Sequence, residues 1–418
     1  LASGLTAVSM ALGVSLVVAV LVIYSVVYQS FHRGGEGYNL VVGAKGSSME
    51  LVLAGVYYIG QPKENIPYSY YKELHEGRLS GDAALAIPVC LGDNYEGYRV
   101  VATTPDMFEL KYLGDQSYSF AAGRKFEAQP SPSNPEAYFE AVVGATVARK
   151  TGLAVGGTFR PTHDIAGEEH HKHRPFTVVG VLAPTGTPND QALFINIEGF
   201  YRIGGHTGEK VEEHHDEDED EHEHEHAAVP DALKKVTAVL VCTDEERDPG
   251  VTWRLARQIN DEKTAQAAIP AKEIAQLFEK IIGNIELVLL LFGIMIVVVA
   301  GIGIMVSIYN SMSDRRHEIA IMRSLGASRG IIMLVILMES ILLSVGGGLL
   351  GLGLGHGLIA VLGPTIAEQT GFSMGLLQFK AVELVLIPGL VLLASAVGYL
   401  PALAAYRTDV SKSLGANP

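Results

Sequence analysis

Four stretches of this chain are long and apolar enough to cross a bilayer, which takes about 20 predominantly apolar residues. Leu1 to Phe31, Leu287 to Ser313 and Leu384 to Tyr406 carry no charge at all. Ile331 to about Leu362 is interrupted only by Glu339 and His356. The first stretch lacks a basic leader and is longer than a signal-peptide core of about 7 to 15 residues, so it reads as a retained span.

Orientation follows from the loops, because short cytoplasmic loops collect Lys and Arg. Asp314 to Arg329 holds Arg315, Arg316, Arg323 and Arg329, whereas the loop between spans three and four has only Lys380. Residues 314–330 and both termini are therefore expected in the cytoplasm, and the long segment between spans one and two outside. The expected division is 1–31 first span, 32–270 extracytoplasmic domain, 271–313 stalk and second span, and 314–330 cytoplasmic loop. It continues as 331–362 third span, 363–383 short outer loop, 384–406 fourth span and 407–418 cytoplasmic tail. The fold class is an α-helical membrane protein with four transmembrane helices plus a large α+β extracytoplasmic domain.

The outer segment alternates strand-like and helix-like patterns. Strands are expected at Ala84 to Cys90, Tyr98 to Thr103, Phe176 to Leu182, Ala192 to Ile197 and Thr237 to Val241. Helices are expected at Pro67 to Glu76, Pro135 to Thr151 and Val251 to Asn260. Ala271 to Ile282 puts Ile274, Phe278, Ile281 and Ile285 at helical spacing, a stalk able to carry movement of the spans outward; the alternative is a surface helix with a hinge at Gly283. Gly43-Ala-Lys-Gly-Ser-Ser reads as a turn.

Net charge is −15, and ten of the acids lie in residues 212–226, a run without Lys or Arg. A chain this acidic does not neutralise a nucleic-acid backbone, so nucleic acid is not an expected partner. Cys90 and Cys242 form no CxxC, which leaves neither a disulfide scaffold nor a cysteine zinc site. Two His-rich inserts, 163–173 and 206–226, hold ten of the fourteen histidines. Imidazole with carboxylate suits zinc, so His163, His170, His171 and His173 form one candidate site and His214, His215, His222, His224 and His226 another. A solvated acidic loop is the alternative. His222 to His226 matches HExxH only through His/Glu repetition in a tract that resists helix formation, so a protease is not expected.

The cytoplasmic loop and the start of span three read Ser311-Met-Ser-Asp-Arg-Arg-His-Glu-Ile-Ala-Ile-Met-Arg-Ser-Leu-Gly-Ala-Ser-Arg, then Met338-Glu-Ser-Ile-Leu-Leu-Ser-Val-Gly-Gly-Gly-Leu-Leu-Gly. The segment resembles the C-terminal region of the FtsX/MacB/LolC-type permeases, the transmembrane subunits of mechanotransmitting ABC systems. The resemblance extends more loosely to Val142-Val-Gly-Ala-Thr-Val-Ala-Arg-Lys-Thr-Gly-Leu-Ala-Val-Gly-Gly-Thr-Phe and Phe176-Thr-Val-Val-Gly-Val-Leu in the outer domain. The His-rich inserts depart from the family pattern.

The resemblance implies a permease of the bacterial inner membrane, working as a homodimer with a separate cytoplasmic ATPase. Arg315, Arg316, Glu318, Arg323, Leu325 and Gly326 would supply the docking surface, with Ile319, Met322 and Leu325 facing inward. The chain has no GxxxxGK[ST], so ATP would enter only through the partner and no cofactor is intrinsic. Gly347, Gly351 and Gly355 have the spacing that lets membrane helices approach closely, preferably within one chain. Glu339, about 15 Å along its helix from Arg329, and His356 are the ionisable groups inside the spans; the family's recurrent Glu makes Glu339 a structural or coupling contact. Pro388 and Pro401 are expected to kink span four. Besides lipid, the expected outer partner is a lipoprotein, a peptide or a metal-binding protein. Two other functions remain open: a metal-sensing receptor acting without ATP, and direct zinc transport through the spans.

Overall fold

The computed structural model describes the chain outside residues 1, 36, 61–63, 115, 164–173, 204–228, 315, 371–382 and 408–418. In chain order it runs α1 (Ala2–Gly34), β1 (Leu40–Gly43), α2 (Ser48–Tyr57), β2 (Ile66–Pro67), α3 (Tyr68–His75), β3 (Leu85–Tyr95) and β4 (Tyr98–Thr103). There follow β5 (Lys111–Leu113), β6 (Gln116–Ser117), β7 (Phe120–Gly123), β8 (Glu140–Val143), α4 (Ala145–Thr151), β9 (Thr158–Phe159), β10 (Thr162–His163) and β11 (Phe176–Leu182). Next come β12 (Ala192–Asn196), α5 (Ile197–Arg202), β13 (Lys235–Val236), β14 (Ala238–Cys242), α6 (Val251–Asp261), β15 (Gln266–Ala268) and α7 (Pro270–Leu277). A π-helical turn, Phe278–Ile282, leads into α8 (Gly283–Asp314), then α9 (Arg316–Ser324), α10 (Arg329–Thr370) and α11 (Glu383–Arg407).

These elements form two compact units, a helical one from Leu1–Val27, Phe278–Ala367 and Ser373–Pro418, and a sheet-bearing one built mainly from Tyr28–Leu277. Among the described residues four helices are long and apolar enough to cross a membrane, with candidate spans at Ala7–Gln29, Pro270–Asn310, Arg329–Pro364 and Glu383–Leu403. In the helical unit, Met10, Val14, Val18, Val22 and Val26 of α1 recur at helical spacing and are buried in one cluster with Ile304 and Ile308 of α8 and Ile332 and Ile336 of α10. Large side chains on the other faces, such as Leu291 and Val299, stay exposed. That is the pattern of helices whose outer faces meet lipid or another chain. Pro388 and Pro401 both lie inside α11.

The sheet-bearing unit is organised by one eleven-stranded mixed sheet, ordered β15-β1-β14-β3-β4-β12-β8-β11-β7, with β10 pairing β3 and β9 pairing β11. β12 runs parallel to β4, and β11 to β8; the other pairs are antiparallel. All residues of β1, β8 and β12 are buried, the mark of strands covered on both faces. One face packs Leu74 of α3, Phe200 of α5 and Leu255 and Ile259 of α6. On the other, Phe108 meets Phe194 of β12 and Phe126 at ring separations of 5.6 and 5.5 Å. The end of α1 is held within this unit, where the Tyr57 hydroxyl donates to the Phe31 carbonyl.

The helix expected over Pro135 to Thr151 is wrong in its first half. Ala137–Phe139 is a 3-10 turn, Glu140–Val143 is strand β8, and only Ala145–Thr151 is helical. Apolar spacing in Ala-Val-Val suits either period; pairing with β11 on one side and β12 on the other decides for the strand. From Pro270 to Asp314 the backbone is helical without a break, across Gly283. Its one irregularity is the π turn at Phe278–Ile282, a feature that often marks functional positions in helices. Of the apolar row assigned to the stalk, Ile274 and Phe278 are buried and Ile285 is exposed.

Candidate functional site

The short segment from Leu325 to Ser328 stops one helix and starts the next. The Gly326 amide donates to Arg323 O at 3.1 Å and the Ala327 amide to Met322 O at 3.0 Å, the paired bonds of a Schellman ending. Gly326 has φ +102°, a conformation that glycine adopts without a Cβ penalty. Ser328 then begins α10: its Oγ accepts from the Ile331 amide at 3.3 Å and its carbonyl from the same amide at 3.1 Å. Leu-Gly-Ala-Ser is thus a local device for a sharp corner.

That corner sets the faces of α9. Ile319 packs against the helical core, but Leu325 is 83% exposed, contrary to the inward-facing expectation. Helical geometry ends at Ser324, so Leu325 no longer follows the period that places Ile319. Ile321 and Met322 are also exposed, which leaves an uncovered apolar cluster. Glu318 is exposed and Arg323 half-buried. Arg315 and the side chain of Arg316 lie outside the described residues.

Behind α9 lies a cleft of about 100 Å³, lined by Glu318, Ile319 and Met322 of α9, Ile308 of α8 and Ile332, Ile336 and Glu339 of α10. Two carboxylates well separated in sequence, one assigned to a surface helix and the other to a span, therefore share one small cavity.

The three glycines of α10 face α1. A Cβ at Gly347 would stand 3.0 Å from Ala7 O, at Gly351 2.5 Å from Ala11 O, and at Gly355 3.0 Å from Val18 Cβ. At Gly351 this closeness leaves no room for a Cβ and at Gly347 and Gly355 it is tight, so the stripe packs within the chain.

His356 Nε2 lies 3.5 Å from Glu383 Oε2, and its Nδ1 lies 3.2 Å from Leu352 O. Sequence reasoning missed Glu383 by placing it at the end of a loop; it is the first residue of α11, and its side chain is only 4% exposed. An acid opening an apolar helix, with a histidine in the preceding span, was the available signal.

His163 belongs by its backbone to β10, paired with Asp93 of β3. His170, His171, His173, His214, His215, His222, His224 and His226 lie outside the described residues. Among the described residues there is no group of three or more His, Cys, Asp or Glu able to hold a metal. Cys90 and Cys242 are unbonded to one another. Burial pushes the Cys90 thiol up to about 12, against hydrogen bonds with Tyr201 and Thr237, and the Cys242 thiol up to about 11. Gly43 ends β1, and Ser47 caps α2 by accepting from the Glu50 amide, so that glycine-rich stretch is a strand-to-helix turn.

Comparison with known proteins matches residues 3–248, more than half of the chain, to the MacB-like periplasmic core domain and residues 290–410 to the FtsX-like permease C-terminal domain. An uncharacterized ABC transporter permease of Bacillus subtilis, YknZ, is 40% identical over 85 residues, 20% of each chain. The macrolide export ATP-binding/permease protein MacB of Bdellovibrio bacteriovorus is 42% identical over 78 residues, 19% of this chain and 12% of that protein. An uncharacterized ABC transporter permease of Methanocaldococcus jannaschii is 25% identical over 243 residues, 55% of this chain and 52% of the relative. The matched segments thus span between about an eighth and about half of these relatives' lengths. With a MacB-like core domain over residues 3–248 and an FtsX-like domain after it, the chain belongs to the FtsX/MacB-like family of ABC transporter permeases.

Proposed function

We propose that this chain is the transmembrane subunit of an ABC transporter and couples ATP hydrolysis by a separate cytoplasmic ATPase to movement of its extracytoplasmic domain. The observation that carries this reading is the corner at α9: Ile321, Met322 and Leu325 stand uncovered beside Glu318 and Arg323, on a helix fixed between two spans by a capped stop and start. An apolar cluster with a charged rim is the composition of a docking surface. The arginines at 314–329 favour the cytoplasmic side for it, where ATP is available.

In this mechanism the ATPase pushes on α9, the cleft holding Glu318 and Glu339 changes shape, and α8 and α10 shift together. The helical run from Pro270 to Asp314 carries the displacement to the outer domain, and a second copy of the chain completes a homodimer in the bacterial inner membrane. Substrates handled outside the membrane, such as a lipoprotein, a peptide or a metal-carrying protein, suit a bundle whose ionisable side chains inside the spans are so few.

The test is purification from native membranes with quantitation of any P-loop ATPase recovered. A stoichiometric ATPase, lost on Leu325→Glu while the permease stays folded, is the expected result. A folded permease that never carries one would instead support a receptor acting without ATP.

The His-rich inserts support a link to zinc. Zinc titration calorimetry on the full chain, with and without residues 206–226, is expected to show binding that survives the deletion and disappears when His163, His170, His171 and His173 are replaced. Binding no tighter than about millimolar in either form removes the zinc link.

A further inference from the structure

The sheet-bearing unit contains a groove of about 560 Å³ bounded by α6, β15 and α7, which the coupling mechanism does not use. Its floor is apolar, formed by Ala256, Ala267, Ala268 and Ile269. Its rim is charged. Arg254 and Arg257 project from α6 and Lys272 from α7, while Asp261 and Glu273 also line it. Lys45 reaches the same wall, donating to Asn260 O at 2.8 Å, and Arg254 is paired with Asp248. Three cations (Arg254, Arg257, Lys272) against two carboxylates (Asp261, Glu273) line the groove itself, a net +1 on a chain whose formal charge is −15.

Trp253, the one tryptophan of the chain, also lines the groove and is 58% exposed. The Lys272 ammonium lies 5.6 Å from its ring centroid, within cation–π range. A large aromatic left this open does little for folding alone, since an indole contributes most when buried. The groove also does not serve strand addition: the outward amide and carbonyl of Ala267 are both held by the Asn260 side chain, at 2.9 and 3.0 Å. A ligand here is held by side chains, not by backbone pairing.

We infer that this groove binds an amphiphilic anion, a phosphate or carboxylate head on an apolar body. The head lies between Arg257 and Lys272, and the body covers the Ala267–Ile269 floor against Trp253. The volume falls within the range of small-molecule pockets, about 300 to 1,000 Å³. Among the described residues neither the Arg257 nor the Lys272 side chain has a hydrogen bond or ion pair, so both are available to a ligand without breaking such a contact. The same head-and-tail chemistry comes from a free metabolite or from a lipid, and the experiment separates the two sources.

The single tryptophan makes the site its own reporter. Full-length protein in nanodiscs of zwitterionic lipid is titrated with octyl phosphate, inorganic phosphate and the uncharged octyl glucoside, following tryptophan emission. Octyl phosphate is expected to give a saturable change, inorganic phosphate a much weaker one and octyl glucoside none. Arg257→Glu with Lys272→Glu is expected to weaken octyl phosphate binding at least about tenfold, since both charged contacts are lost. Calorimetry with the same variant confirms the loss without relying on emission. Emission already shifted in discs containing phosphatidylglycerol, with no further response to octyl phosphate, assigns the site to a lipid headgroup; an unshifted starting point assigns it to a free anion. The inference is overturned by no saturable response to octyl phosphate in either disc with emission unshifted, by an equal response to octyl glucoside, or by full affinity in the charge-reversed variant.

Discussion

His356 of α10 and Glu383 of α11 stand 3.5 Å apart, Nε2 to Oε2, with 12% and 4% of their side chains exposed. Removing one member leaves the other polar group buried without its partner and costs about 1 to 3 kcal/mol, whereas replacing both by apolar residues of similar shape is close to neutral. Glu383→Leu alone should therefore lower the melting temperature of the detergent-solubilised protein, and His356→Leu with Glu383→Leu should restore most of it. Equal losses in the single and double variants would show that the pair does not act as a unit.

Close approach of α1 to α10 depends on Gly351, where a Cβ would lie 2.5 Å from Ala11 O and 2.7 Å from Val14 Cβ. Overpacking of this kind costs about 1 to 3 kcal/mol. Gly353, on another face of the same helix, has nothing within 4 Å of a Cβ. Thermal unfolding should separate Gly351→Ala, destabilised, from Gly353→Ala, unchanged or stabilised by up to about 1 kcal/mol because Ala is the better helix former; matching melting curves would refute the packing.

Gly326→Ala forces a side chain into the left-handed region at φ +102°, at a cost of about 1 to 2 kcal/mol. Because the strain falls on the corner between α9 and α10, loss of permease-stimulated ATPase activity should exceed the loss of stability. Ser328→Ala removes a cap worth about 1 kcal/mol and serves as the comparison. A Gly326→Ala protein with full stimulated activity removes the corner from the coupling path.

Glu140 is buried in β8, yet its two oxygens accept from Arg124 at 2.6 and 3.0 Å, from the Glu127 amide at 3.1 Å and from Asn134 at 2.9 Å. Burial alone would raise its pKa; the hydrogen bonds to Arg124, Glu127 and Asn134 outweigh it and hold the carboxyl below the usual value of 4.5. A depressed carboxylate stabilises the fold above its unfolded pKa and loses that contribution as pH falls through the folded value. Glu140→Gln should thus be less stable than the parent at pH 7, with the gap narrowing below about pH 4. A gap that stays constant between pH 7 and pH 3 contradicts this.

Cys90 and Cys242, with thiols raised by burial to about 12 and 11, are expected to be almost wholly protonated at pH 8 and slow to react. Thiol titration should find neither in the native protein and both after denaturation. Rapid labelling of either one in the native state would show that its surroundings open.

The chain's own letters determine the four apolar helices, because a lipid-embedded backbone satisfies its polar groups only within a helix or a closed barrel. An almost charge-free run long enough to span the hydrocarbon layer reads directly as such a helix. They also determine the corner at Leu325 to Ser328, since glycine and serine cap helices through bonds made within a few positions of themselves. Tertiary structure decided what local pattern leaves open. Glu140 to Val143 became a strand because partners on both sides took its backbone bonds, and Leu325 turned outward because its helix stops just before it. Glu318 and Glu339 line one cleft only because the corner after α9 brings that helix and α10 around the same space beside Ile308 of α8, and His356 finds Glu383 on the helix that follows its own. Contacts between residues far apart in the chain depend on how whole elements pack, and no spacing rule along a single segment contains that information.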